Sequence, residues 1–116
     1  MSSEAILVIT NLPDPQSAAR LAEKLVEQRL AACVNVLAPC ASVYRWQGKT
    51  ERATETPLLI KTLRSRYGKL EQAIRAEHPY ELPEILAVPI ESGLPAYLDW
   101  VADETRLTEN SPPCAS

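Results

Sequence analysis

A hairpin that is too long for the rest of the chain is the feature that most constrains the fold. Residues 41–63 offer two extended segments that meet at Gly48, and Pro57 bends the second of them. Ten extended residues span about 33 Å, whereas a domain of about 100 residues has a radius of gyration of about 13 Å. The tip of this hairpin is therefore expected to overhang the core.

The overhanging tip carries aromatic side chains that a single chain cannot bury. Tyr44 and Trp46 share one face of the first segment, and Lys49 follows the turn. An isolated hairpin is only marginally stable in water. Pairing of identical copies would bury the rings, and unpaired strand edges favour a closed ring of subunits, of which a homotrimer is one example. We therefore predict that these three residues lie at the interface between identical subunits of such a ring; the alternative is an exposed, unsupported arm.

Apolar periodicity sets the order of the remaining elements. That order, βαββαβ with a short final helix, is typical of the ferredoxin-like split βαβ pattern, an α+β fold with two helices on one face of a four-stranded antiparallel sheet of order 4-1-3-2. We expect one domain over 1–104 and a flexible tail over 105–116. The first half of the chain is predicted to hold a strand at 5–9 followed by a loop from Thr10, a helix from the N-cap Asp14 to Leu30, and a strand from Cys33 that is interrupted at Pro39. The second half is predicted to hold the long strand at 50–63, a helix that is capped by Ser65 and ends near His78, a strand at 85–88 and a helix from Pro95.

The charge and composition of the chain exclude several classes of partner. Its 116 residues carry a formal net charge of −3, whereas nucleic acids and anionic membranes require clustered Lys and Arg. Arg64, Arg66 and Lys69 are predicted to lie on the exposed start of a helix instead of forming a basic stripe. No apolar run approaches the length of a membrane span, and the N-terminus lacks the basic and apolar regions of a signal peptide. A cytoplasmic protein is therefore expected.

Five short motifs, in order and with matching gaps, give the chain a family resemblance. They are LAACVN at 30–35, YxWxGK at 44–49, Glu55, KT at 61–62 and HPYExPE at 78–84. From about Ile6 to Val101 the chain resembles the CutA family of divalent-cation tolerance proteins. The resemblance implies a ferredoxin-like fold, a homotrimer similar to PII signalling proteins, a cytoplasmic location in bacteria, and a role in tolerance of heavy metals, copper especially.

The resemblance also implies where copper or another divalent cation would bind. Copper sites proposed in the family use a Cys at the end of the first strand and a His-His pair, but here those positions are Thr10 and Glu77-His78. A neutral imidazole suits copper or zinc, and Glu77 and Glu81 could add oxygen ligands to His78. The alternative is a histidine at a helix C-terminus, where the helix dipole favours it.

A second group of candidates belongs to an intersubunit cleft. Lys61 follows an apolar run, so its stem is predicted to be partly buried and to need a partner such as Glu55 or a carboxylate of a neighbouring chain. Lys61 is therefore either a residue that contacts a ligand in the cleft or one member of an ion pair at the interface between subunits. Tyr80 is expected to line the same cleft. Cys33 is either a soft Cu(I) ligand or a packing residue of its strand.

Catalysis finds little support in the sequence. The predicted loop at 10–13 contains no Arg for an acylphosphatase-type cradle, the chain has one His, and no GxSxG motif occurs. We therefore predict a binding protein and not an enzyme. The alternative function is a PII-like signalling or interaction module that holds a small molecule between subunits, although only three glycines are present and none forms a phosphate loop.

Overall fold

The computed structural model describes residues 4–106 of the chain. Five strands and three α-helices are present in this part of the chain, and a 3₁₀ turn at Arg64–Arg66 precedes the second helix. The strands are β1 (Ala5–Leu12), β2 (Cys33–Val36), β3 (Cys40–Trp46), β4 (Lys49–Leu63) and β5 (Ile85–Pro89), and the helices are α1 (Pro15–Glu27), α2 (Tyr67–Glu77) and α3 (Pro95–Thr105).

The strands form an antiparallel sheet in the order β2-β4-β1-β5, and β3 pairs with the first half of β4. Since β2 and β3 are the two halves of the predicted second strand, this is the predicted order 4-1-3-2. The interruption at Pro39 is confirmed as the gap between β2 and β3. Proline cannot donate a ladder hydrogen bond, so pairing with β4 stops there and resumes at Cys40.

The first strand is longer than predicted. The expected loop from Thr10 is wrong, because β1 continues to Leu12 and pairs there with Thr56 of β4. Thr10 and Leu12 are both buried on the face that the helices cover. The polar side chains of Thr10 and Asn11 look like loop residues, but the long partner strand β4 continues beside them and supplies backbone partners.

The helices α1 and α2 pack on one face of the sheet and enclose the core. In α1 the Asp14 carboxylate accepts a hydrogen bond from the Ser17 N–H at 2.8 Å, and Pro15 is the first helical residue, as predicted. The helix ends at Glu27, earlier than the predicted Leu30, because Arg29 adopts a positive φ of 59°. The core side chains from the four central elements are Ile6, Val8 and Leu12, Leu58 and Ile60, Leu21 and Leu25, and Leu70 and Ile74.

The start of α2 differs from the prediction. Ser65 does not cap the helix; it lies within the 3₁₀ turn, and the N-cap residue is Arg66, which makes no side-chain capping bond. The predicted exposure of Arg66 is also wrong, since its side chain is buried. The tight turn at 64–66 follows β4 directly and directs the arginine inward, which the polar character of RSR does not indicate.

The hairpin of β3 and β4 leaves the domain as predicted. Gln47 and Gly48 have φ angles of 52° and 82°, which are the values of a two-residue type I′ turn and match the twist of the strands. The radius of gyration is 15.4 Å and the longest extent is 49 Å, compared with about 13 Å expected for a compact domain of this size. Most side chains of β3 are exposed.

The C-terminal helix begins at Pro95 as predicted, and it buries Val101 and Thr105. Thr105, placed in the predicted tail, is therefore the last residue of α3, and its hydroxyl donates to the Val101 carbonyl at 2.8 Å. Residues 107–116 of the predicted tail lie outside the described residues. Within the described range, no helix is both long and apolar enough to span a bilayer.

The cap of α1 predicts a pH-dependent stability. The hydrogen bond from the Ser17 N–H holds the pKa of Asp14 below its ordinary value. A lowered folded pKa stabilises the protein above the pKa of the unfolded chain, and that contribution is lost as the pH falls through the folded pKa. Asp14→Asn, which keeps an acceptor but does not titrate, should show a weaker acid dependence of Tm than the wild type. Asp14→Ala should lower Tm at neutral pH; equal melting of both variants and the wild type at every pH would contradict this.

Candidate functional site

A cavity of 660 Å³ lies between the hairpin and the loop that follows α2. We call it the hairpin cavity. It brings together five of the predicted site residues with six that were not predicted. The predicted ones are Tyr44, Trp46, Glu55, Tyr80 and Glu81, and the others are Asn11, Ser42, Val43, Arg45, Leu82 and Glu84.

The strand register explains the hairpin side of this cavity. Tyr44 and Trp46 are two residues apart on β3 and therefore share one face. Cys40 lies opposite Glu55 in the ladder, and Tyr44 lies opposite Glu51. Antiparallel partners point to the same side of a sheet, so Glu55 projects on the same face as the two rings. The predicted interface residue Lys49 pairs with Trp46 at the far end of the hairpin.

The loop side of the cavity is positioned by His78. Its Nε2–H donates to the backbone carbonyl of Asn11, and its Nδ1 accepts from the backbone N–H of Tyr80 at 3.2 Å. These two partners require the tautomer that is protonated at Nε2. The imidazole is 8% exposed, and its centroid lies 4.7 Å from that of the Tyr80 ring. His78 therefore ties the end of α2 to β1 and holds Tyr80 at the cavity.

Glu55 is a buried carboxylate beside Tyr80. It is 8% exposed, and within residues 4–106 it takes part in neither of the two ion pairs, Lys24–Glu77 and Arg106–Asp103. Partial burial raises the pKa of Tyr80 above its ordinary value, and the nearby Glu55 carboxylate is the second cause of this rise. The phenol therefore stays protonated, and its hydroxyl can serve as a hydrogen-bond partner of Glu55.

Two cavity residues that the sequence did not predict, Asn11 and Glu84, are bonded to each other. The Asn11 side-chain amide donates to Glu84 Oε1 at 3.0 Å. Glu84 belongs to the HPYExPE motif, so its position in the motif was a signal that could have included it. Asn11 gave no such signal, because it was assigned to a loop and its partner is 73 residues away.

Two of the three predicted metal ligands, Glu77 and His78, have partners of their own, and the third, Glu81, lines the hairpin cavity. The Glu77 carboxylate contacts Lys24 Nζ of α1 at 2.6 Å, and the hydrogen bond from Lys24 holds the pKa of Glu77 below its usual range. Both ring nitrogens of His78 are already bonded. Among the described residues, no three His, Cys, Asp or Glu side chains are grouped so that they could hold a metal ion. Within one chain these residues do not fit a metal centre, and copper binding through His78 stays a prediction.

The predicted cleft residues fall into two groups. Lys61 Nζ donates to the Asn35 side-chain oxygen and lies 3.9 Å from Cys33 Sγ. Its position is six residues along β4 from Glu55, or about 20 Å in an extended strand. The structure therefore brings Lys61 together with Cys33, and Glu55 together with Tyr80, but does not join the two pairs.

The sheet face opposite α1 and α2 carries exposed apolar side chains on β5, beside partly buried residues of β1 and β4. We call it the open face. Leu86 and Val88 of β5 are 54% and 44% exposed, and their ladder partners Ile9 and Leu7 alternate with buried residues of β1. Single exposed apolar residues are common, but these four apolar side chains are neighbours in the ladder, and such a patch indicates a surface that another molecule covers.

These observations define a class of protein: a two-layer α+β domain with a projecting hairpin, an apolar open face and a cavity where the hairpin joins the core.

A sequence profile described as "CutA1 divalent ion tolerance protein" matches residues 6–104. The Divalent-cation tolerance protein CutA of Thermus thermophilus is 44% identical over 102 residues, which are 88% of this chain and 98% of that protein. The Protein CutA homolog of Xenopus laevis is 47% identical over 78% of this chain, which spans only 60% of that relative's length. The crystal structure of CutA from Xylella fastidiosa is similar to this structure, with a TM-score of 0.86 and 44% sequence identity. The alignment covers 89% of this chain and 99% of the Xylella fastidiosa chain. The chain belongs to the CutA1 family, and the resemblance predicted from its motifs is confirmed.

Proposed function

We propose that this chain contributes to tolerance of divalent metal ions, copper especially, and that it acts by binding and not by catalysis. The observation that carries the proposal is the family match over residues 6–104. The relative from Thermus thermophilus is itself described as a divalent-cation tolerance protein. The names of the family and of this relative refer to ion tolerance and to no reaction. A cytoplasmic location is part of the proposal, and fractionation of cells that express the protein tests it.

The proposed form of the protein is a ferredoxin-like domain assembled as a PII-like homotrimer. The open face supports this, because Leu86 and Val88 are half exposed in the single chain. Burial of such surface contributes about 25 cal/mol for each Å² removed from water. The hairpin supports it as well, since Trp46 at its tip is 39% exposed, and within residues 4–106 β3 pairs on one side only, with β4.

Sedimentation of the wild-type protein tests the assembly. We expect a particle of three chains at micromolar concentration, because a closed ring satisfies the open face and the free strand edge of every copy. Sedimentation as a stable single chain would contradict the trimer, since the apolar open face would then stay in water.

Copper titration tests the metal site. A site that uses His78 must release either the Tyr80 N–H or the Asn11 carbonyl, and it must gain further ligands from another copy or from Glu81. If His78 is a ligand, His78→Ala should weaken Cu²⁺ binding about tenfold or more in calorimetry, because even the loss of a residue that only supports a ligand costs about 10–100-fold. Glu23→Gln on the exposed side of α1 is the control for the loss of a metal-ligating side chain outside the proposed site. Equal affinity of the wild type and His78→Ala would exclude His78 from the site.

A further inference from the structure

Cys33 and Lys61 bring two of the family motifs into contact. Cys33 belongs to LAACVN and Lys61 to KT, and the two residues lie directly opposite each other in the ladder of β2 and β4. The side chains of such a pair point to the same side of a sheet, and Lys61 Nζ lies 3.9 Å from Cys33 Sγ. Within residues 4–106 Lys61 takes part in neither of the two ion pairs. A thiol and an amine therefore face each other in one chain.

The surroundings of this pair leave room for a small molecule. The Cys33 side chain is half-buried. Tyr97 of α3 lies against it: partial burial raises the pKa of Tyr97 above its ordinary value, and the neighbouring Cys33 side chain is the second cause of this rise. Lys61 Nζ also donates to the side-chain oxygen of Asn35, which is exposed. A water-sized oxidant can approach the sulfur beside Asn35, whereas the ring of Tyr97 hinders a bulky thiol.

The pair lies apart from the apolar patch that the proposed assembly covers. Val88 and its neighbours belong to β5 at one edge of the sheet, and Cys33 belongs to β2 at the other edge. Three strand spacings separate the two edges, which is about 14 Å. Because Cys33 and Lys61 are in contact within one chain, a reaction between them does not require the patch on β5 to be free.

Cys40 is too far from Cys33 to form a disulfide with it. Cys40 lies opposite Glu55, six residues along β4 from Lys61, and six extended residues span about 20 Å. A disulfide requires Cα atoms within about 7 Å of each other. Within residues 4–106 of one chain, the Lys61 amine is therefore the nucleophile in contact with an oxidised Cys33.

We propose that hydrogen peroxide converts the contact between Cys33 and Lys61 into a covalent sulfur–nitrogen bond. First, the Cys33 sulfur attacks one peroxide oxygen and the O–O bond breaks, so that the thiol becomes a sulfenic acid and water is released. The neutral Lys61 amine then attacks this sulfur, the S–O bond breaks, and the hydroxyl leaves with one amine proton as water. The product is a sulfenamide, of the kind that sulfenic acids form with backbone nitrogen. The sulfur loses two electrons and the peroxide gains them.

The bond would remove one thiol and one positive charge from the predicted cleft, so that the cleft responds to oxidants. This inference rests on neither the metal proposal nor the trimer proposal, because one chain supplies both groups.

Mass spectrometry of the full-length protein tests this inference. The parent protein carries Cys40→Ser and Cys114→Ser, which leave Cys33 as its one thiol. After treatment with millimolar hydrogen peroxide, the chain should lose the mass of two hydrogen atoms and its free thiol should disappear. Digestion should release one peptide in which the Cys33 and Lys61 segments are joined. An excess of a reducing thiol should restore the original mass.

Two lysine variants of this parent identify the amine. Lys61→Arg keeps the positive charge but replaces the amine by a guanidinium that stays protonated. The link should be lost there, and Cys33 should gain oxygen atoms as sulfinic acid instead. Lys69→Arg makes the same change on the exposed start of α2 and should leave the link unchanged.

Three results would overturn the inference. Cys33 of the parent protein could remain a thiol or carry only sulfinic acid, Cys33 could join two chains in a disulfide, or the link could persist in Lys61→Arg. The first two are read from the parent protein, so they do not depend on how Lys61→Arg folds.

Discussion

Replacement of Val88 by aspartate is expected to convert the proposed trimer into single chains. Val88 lies on the open face, where its partner in the ladder is Leu7 and where it is 44% exposed in the isolated chain. In a single chain the new carboxylate meets water at little cost. In an interface between open faces it becomes a buried and unpaired charge, which costs about 3–5 kcal/mol per site.

Because every copy in a closed ring carries the same substitution, the cost recurs at each interface. Sedimentation equilibrium should therefore give the mass of one chain for Val88→Asp at concentrations where the wild type sediments as three. Circular dichroism should show that the fold is retained.

Val26→Asp is the matched control for this experiment. Val26 is 42% exposed and belongs to α1, which covers the other side of the sheet. The same change of chemistry there should leave the oligomer intact. If Val88→Asp remains a trimer while its fold is unchanged, the open face is not the interface, and the assembly must depend on the hairpin alone.

The fold could be predicted because its signals are local. Asp14 and Pro15 mark the start of α1, apolar spacing marks the inner faces of both main helices, and Gly48 marks the hairpin turn. The element order then restricts the sheet to few arrangements. The overhang follows from strand length alone, which is why it was visible without any tertiary information.

The details that failed depend on neighbours that are distant in the sequence. Thr10 reads as a loop residue, and only the presence of β4 beside it makes it part of a strand. Arg66 reads as a surface residue, and only the turn that follows β4 buries it. Periodicity describes one segment at a time, so it does not report what a partner strand or a neighbouring turn imposes.

The candidate site was predicted in part for the same reason. Tyr44 and Trp46 alternate on one strand, so their common face could be read directly. That Glu55 joins them follows only from the register of the ladder. The contact of Tyr80 with this group needs the His78 bond to Asn11, which spans 67 residues. Motif spacing indicated that these residues matter but did not indicate which of them meet.

Substitution of His78 by alanine is expected to lower stability by about 2–4 kcal/mol. The change removes the Nε2–H donor of the Asn11 carbonyl and the Nδ1 acceptor of the Tyr80 N–H. Each buried partner left without a hydrogen bond costs about 1–3 kcal/mol, and the lost ring contact with Tyr80 adds to this. Thermal unfolding at one fixed protein concentration measures the effect, because the stability of an oligomer depends on concentration.

Two conservative variants separate the two bonds of His78. Asparagine places an oxygen near the position of Nδ1 and should restore the bond from the Tyr80 N–H, while glutamine places an N–H near the position of Nε2 and should restore the bond to Asn11. Each should recover part of the loss, and amide hydrogen exchange at Tyr80 should be fast in alanine and glutamine but slow in asparagine. Equal stability of all four proteins would show that His78 does not hold the loop. An effect of His78→Ala on copper binding can be assigned to a ligand role only if His78→Asn, which is expected to retain the bond from the Tyr80 N–H, shows the same effect.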